Sequence, residues 1–105
     1  MRTHELYGQI SRLTENLPAL KRQTIGRRVE DKTLELLEIL IMAKNAPRAM
    51  KAAYLIKAVA VAEIVQFHIR TLIQQKLANG TTLHQLAAKN EEIGRMVGGW
   101  LKSVQ

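Results

Sequence analysis

The chain has 105 residues, no cysteine, and 16 Lys and Arg against 9 Asp and Glu, a formal net charge of +7. That length holds one core and one domain, residues 1–105, and the lack of cysteine excludes a disulfide framework, a thiolate nucleophile and thiolate zinc ligation. The charge surplus points to a polyanion or an acidic protein surface, and residues 21–57 carry nine of the basic residues and only four acidic ones.

The punctuation by two prolines and six glycines predicts four helices. The first runs from Thr3, a suitable N-cap, through Leu6, Ile10, Leu13 and Leu17, and Pro18 interrupts it. The second runs from Gln23 to Lys44, with Ile25, Val29, Leu36, Leu40 and Ala43 on one line and Leu34, Leu37 and Ile41 beside it. Asn45-Ala46-Pro47 makes the next turn, and Pro47 suits the first position of a helix. The third, from Arg48 to Ala78, is apolar over most of its circumference: Leu55, Val59, Ala62, Ile69 and Ile73 on one line, Ala58, Val61, Val65 and Leu72 on another. Asn79-Gly80 is the expected left-handed stop, and Thr82-Leu83-His84-Gln85 has the form of a capping box. The fourth helix carries Leu83, Leu86, Ile93, Val97, Trp100 and Val104 near a heptad seam. No alternating β-branched run signals a strand.

Four helices with short connections predict an all-α fold, an antiparallel up-down-up-down four-helix bundle. The third helix and the second row of the second helix present more apolar surface than three neighbours cover, so self-association is expected. No apolar signal core follows Met1, and Lys57, Glu63, His68 and Arg70 interrupt the most hydrophobic stretch. A cytoplasmic protein without a membrane span is expected.

Catalytic chemistry is hard to place on this chain. His4, His68 and His84 have no metal-ligand spacing, Ser11 and Ser103 lack a nucleophile-elbow context, and Gly94, Gly98 and Gly99 lack the strand and Lys-Ser/Thr of a phosphate loop. Glu91 and Glu92, adjacent on a helix, diverge by about 100° and share no substrate. The Arg-x-x-x-x-His pattern of a helical ribonuclease is missing at both His68 and His84. The expectation is a non-enzyme with no metal and no cofactor.

The basic residues divide into those with an evident partner and those without. Arg27 can pair with Asp31 and Lys32 with Glu35, whereas Lys21, Arg22 and Arg28 have no obvious acid. Lys44, Arg48 and Lys51 gather around one turn, and Lys102 is expected at the same pole, a four-cation cluster suited to phosphates. Glu63, Gln66, Arg70 and Gln74 form a polar line along the third helix; either Glu63 and Arg70 satisfy one another or the line faces solvent or a partner. Arg70 is its candidate contact residue, because a guanidinium grips a carboxylate or phosphate with two hydrogen bonds. Gly94 and Gly98, one turn apart, would let another helix approach closely beside Trp100, in the bundle or between subunits.

The run Glu-Ile-Gly-Arg-Met-Val-Gly-Gly-Trp-Leu-Lys at positions 92–102, following Ala-Lys-Asn, closely resembles the end of the four-helix-bundle family that includes the accessory variability protein (Avd) of diversity-generating retroelements. Bundle proteins encoded in intervening sequences of bacterial large ribosomal RNA are similar in fold. The likeness extends back to Tyr7 through the proline after the first helix, the basic start of the second, and the Leu-Glu-Ile-Leu-Ile-Met-Ala stretch. It implies a homopentameric ring with a basic surface, binding the element's reverse transcriptase and RNA or DNA to support mutagenic copying of a template repeat. The alternative it leaves open is an adaptor of the ribosomal intervening-sequence type, binding an acidic protein or RNA without a retroelement role. Arg70 falls where the resemblance implies a basic residue, whereas Gln66 stands where a second arginine is expected.

Overall fold

The computed structural model describes residues 2–105, with side chains from Thr3 onward, and shows four helices and no strand among them. Helix α1 spans Arg2–Glu15; α2 runs without a break through Ala19–Lys21, a π-helical turn Arg22–Gly26, and Arg27–Asn45; α3 spans Arg48–Gln74 and α4 Gly80–Val104. The most extensive packing is that of α3 against α2 and α4, while α1 packs on α2 and α4. The core collects the expected lines: Leu6 and Ile10 of α1, Val29, Leu36 and Leu40 of α2, Leu55 through Leu72 of α3, and Leu83, Leu86, Ile93 and Val97 of α4. Each fully buried Leu or Ile contributes about 1.5–3 kcal/mol.

Three helix boundaries differ from the sequence expectation. Thr3 lies inside α1 and is buried, so it is not an N-cap. Helix α2 begins at Ala19, after Pro18, and its first turns widen: the Arg27 amide donates to the Arg22 carbonyl, five residues back. The widened turn ends at Gly26, which is buried against α1. A Cβ there would lie 3.1 Å from Leu17 Cδ1 and 3.3 Å from Thr14, so glycine permits the close approach. Thr14 in turn donates its hydroxyl to Glu30 of α2, joining the two helices beneath the turn.

The third difference is the α3 stop. It falls at Gln74 rather than Ala78, and the left-handed residue is Lys76, with φ 53°, not Gly80. Leu77 N donates to Leu72 O at 3.2 Å and Lys76 N to Ile73 O at 3.1 Å, the paired bonds of a Schellman cap with Leu77 folded back toward the core. Asn79 then caps α4: its side chain accepts from Thr82 N at 3.1 Å. The Thr82–Gln85 segment is therefore within the helix, past its start.

Helix α1 has 14 residues, about 21 Å, against a long axis of 44 Å. One end of the bundle is thus walled by four helices and the other by three. Helix α3 is long and apolar enough to cross a membrane by length and composition, but its line from Leu55 to Leu72 lies in the bundle core. Its outer arc leaves Ile56, Ile64 and Phe67 exposed, and α2 leaves Leu34 and Ile41 exposed with Leu37 half-buried. Apolar surface thus remains uncovered on the two helices where the sequence placed a surplus.

Candidate nucleic-acid interface

The candidate cations fall into three separate places. At the three-helix end, the chain enters α3 from α2 and α4 terminates beside it. Lys51 donates its ammonium to the carbonyls of Ala43, at 2.8 Å, and Lys44, at 3.0 Å, so it caps the C-terminus of α2. Arg48 reaches the Ser103 carbonyl at 3.4 Å, at the C-terminus of α4, which puts Lys102 at the same pole. Two helix C-termini meet here, and their exposed carbonyls favour cations with or without a ligand. Lys51 is committed to that task and Arg48 partly so; the exposed Lys44 and Lys102 have no partner among the described residues.

The second place lies at the opposite end of α2, about 35 Å from Lys44 along the helix. Lys21, Arg27 and Arg28 line a cleft of about 500 Å³ between α2 and α3, with Asp31 the carboxylate in its wall and Phe67 and His68 facing from α3. Lys32 pairs with Glu35 at 3.0 Å as expected, but no Arg27–Asp31 pair forms among the described residues, which leaves Arg27 as free as Lys21 and Arg28. Arg22 points elsewhere, donating to the Glu15 carbonyl at the end of α1, at 3.4 Å. Phe67 is 64% exposed, and its ring meets that of His68 at 5.5 Å in a tilted pair. Burial, then the charges of Arg28 and Lys32, hold the His68 imidazole below its ordinary pKa and so favour the neutral ring.

The third place is the polar line on α3. Glu63, Arg70 and Gln74 are exposed and Gln66 half-buried, so the line faces solvent along the groove between α3 and α4 that Gly94 and Arg95 share. Glu63 and Arg70 make no ion pair among the described residues, which settles that choice for the open arrangement. The floor of the groove holds Asn90, 2% exposed. Its amide donates to Ala62 O at 3.0 Å and to Gln66 Oε1 at 2.8 Å, while its Oδ1 is buried without a partner. Gln66, the departure from a second arginine, is thus held by a core contact to α4. No other side chain comes within 4 Å of a Cβ placed at Gly94 or Gly98, and Trp100 is half-buried nearby; close helix approach within this bundle is not what these glycines serve.

Sequence reasoning did not single out Phe67 and His68. The available signal was an aromatic pair on the one apolar helix, one α-turn from the polar line, and it was masked because a Phe on such a helix reads as core. Among the described residues no group of His, Asp and Glu is placed to hold a metal ion.

Four helices packed around one core, with cations along the surface, define a basic protein of the four-helix-bundle class. Its sequence is more specific than its fold: the chain belongs to the bAvd-like family, whose model matches residues 1–104. This bears out the resemblance to Avd carried by the C-terminal motif, and extends it over almost the whole chain. The family is one of accessory variability proteins rather than a catalytic one. Among curated proteins, none matches this sequence.

Proposed function

We propose that the protein is the non-enzymatic accessory factor of a diversity-generating retroelement, a cytoplasmic ring of antiparallel bundles that binds the element's reverse transcriptase and its RNA or DNA. The family match over residues 1–104 carries the retroelement role. The contact of Arg48, at the start of α3, with Ser103, at the end of α4, supports opposite directions for these two successive helices. Uncovered apolar side chains on α2, with Ile56 on α3 and the open glycine face of α4, support assembly through Leu34, Leu37, Ile41, Gly94, Gly98 and Trp100. A pentamer would repeat each cation cluster five times, which multiplies a modest charge into a polyvalent surface.

The test reverses the charge of the two cations free among the described residues, Lys44 and Lys102, and of Arg48, whose contact with the Ser103 carbonyl is long at 3.4 Å. Lys51 is left alone because its loss uncaps α2. A Lys44→Glu, Arg48→Glu, Lys102→Glu variant is expected to keep its mass by light scattering and to lose RNA retention and reverse-transcriptase pull-down at low salt. Retention equal to the parent protein with a flat salt response removes this pole from the function.

A further inference from the structure

We propose that the cleft between the first half of α2 and the last half of α3 is a single-strand site, in which an unpaired base lies on the Phe67 ring and the phosphates on either side meet Lys21, Arg27 and Arg28. The inference rests on the nucleic-acid reading above and places it on a surface distinct from the Lys44 pole.

Three observations converge on this ligand. First, the cleft holds three cations against the one carboxylate of Asp31, and none of the three is in an ion pair among the described residues. Covering them with an apolar subunit face would bury unpaired charge, which is costly; covering them with a polyanion is favourable. Second, the one exposed side chain among the described Phe, Tyr and Trp residues stands at the rim of that cluster. A Phe held between apolar subunit faces would have apolar neighbours alone, whereas this ring, one turn from the exposed Ile64, shares its cleft with Lys21, Arg27 and Arg28. Basic residues around an exposed ring are the arrangement by which proteins hold single strands, because every unpaired base offers a π-face and every linkage a charge. Third, the His68 imidazole meets the same ring at 57° and favours its neutral form, so it walls one side of the stacking position without adding a charge of its own.

The π-helical turn shapes this cleft. Gln23, Thr24 and Ile25 in its wall belong to the widened turn Arg22–Gly26, which Gly26 anchors against α1. A volume of about 500 Å³ suits a nucleotide-sized group. A paired base has both its faces stacked inside the duplex and cannot reach the ring, so the site selects unpaired strand.

Fluorescence anisotropy on the full-length assembly tests this, with a labelled oligouridylate and a blunt RNA duplex of the same length at two salt concentrations. Phe67→Ala and Phe67→Leu are both expected to weaken single-strand binding by about 5- to 150-fold, the loss of one stacked base, and Phe67→Trp to preserve it. Duplex affinity is expected to change less than about twofold. An Arg27→Gln, Arg28→Gln variant should lower the single-strand salt slope by about 1.4, two phosphate contacts. Unchanged single-strand affinity in Phe67→Ala and Phe67→Leu overturns the site while leaving the nucleic-acid reading intact; equal losses on single strand and duplex overturn stacking. A changed assembly mass in Phe67→Ala assigns the ring to a subunit contact and overturns the proposal, as does displacement of the oligouridylate by polyglutamate at equal charge. A parent protein that binds neither RNA even at low salt defeats the nucleic-acid reading itself.

Discussion

Replacing Asn90 by leucine is expected to make the protein more stable, although it removes two hydrogen bonds. The side chain is 2% exposed and sits among Leu86, Ile93 and the α3 core line, yet its Oδ1 has no donor. A buried acceptor without a partner costs about 1–3 kcal/mol. The two bonds that would be lost are cheap to lose: the Ala62 carbonyl lies in mid-helix, where it has a backbone donor, and Gln66 is half-buried and can turn its amide to water. Leucine shares the branched outline of asparagine and adds apolar burial; its methyl groups need more room than the amide, which the half-buried Gln66 at the groove can yield. The net gain is about 1–2 kcal/mol, and each kcal/mol raises the midpoint by about 4–8 °C in a domain of this size. Urea and thermal unfolding followed by circular dichroism, at one fixed protein concentration because assembly shifts the midpoint, would read it. Asn90→Ala, which leaves a cavity instead, should be less stable than the parent. A leucine variant that loses stability would mean that Oδ1 is bonded in solution, and the accounting fails.

Two further outcomes follow from local geometry. Lys76 holds a left-handed conformation that costs a non-glycine residue about 1 kcal/mol, so Lys76→Gly should raise stability by about 0.5–1 kcal/mol in the same urea titration, and a loss would mean that its side chain has a role in the cap. His68 is held below its ordinary pKa by burial, with Arg28 and Lys32 adding to it; the folded chain therefore binds fewer protons than the unfolded one, and stability falls as pH drops from above 6.5 through the folded value. His68→Gln should narrow the difference between urea midpoints measured at about pH 7.5 and about pH 5.5, and an unchanged difference assigns the dependence to other groups.

The helices were legible because their apolar spacing is long and regular: the lines through Leu36 and Leu40, Leu55 and Leu72, and Leu83 and Val97 are the ones that pack. Their ends were less so. Glycine is the usual left-handed stop, and Gly80 drew the end of α3 past Lys76, where two backbone bonds and the Leu77 contact offset the strain. The apolar period marks α2 only from Gln23 because the π-turn at Arg22–Gly26 breaks the 3.6-residue spacing. At the candidate sites, composition showed which cations exist but not what occupies them. Lys51 and Arg48 find helix-end carbonyls, which depend on how three helix ends meet, and Arg27 is free because Asp31, one turn away, does not pair with it. Phe67 was hidden by the company it keeps in sequence, since only the packing direction of α3 shows which of its apolar residues point outward.

The widened turn at Arg22–Gly26 has a consequence for how this chain tolerates changes in length. A π-turn holds one residue more than an α-turn needs, so removing a single residue there allows it to close as ordinary helix while the side chains before and after keep their facing. The same deletion nearer Leu36 would swing every later position of α2 by about 100° and turn Leu40 and Ala43 away from their neighbours. Single-residue deletions in this gene are therefore absorbed at the mouth of α2 and rejected along its shaft.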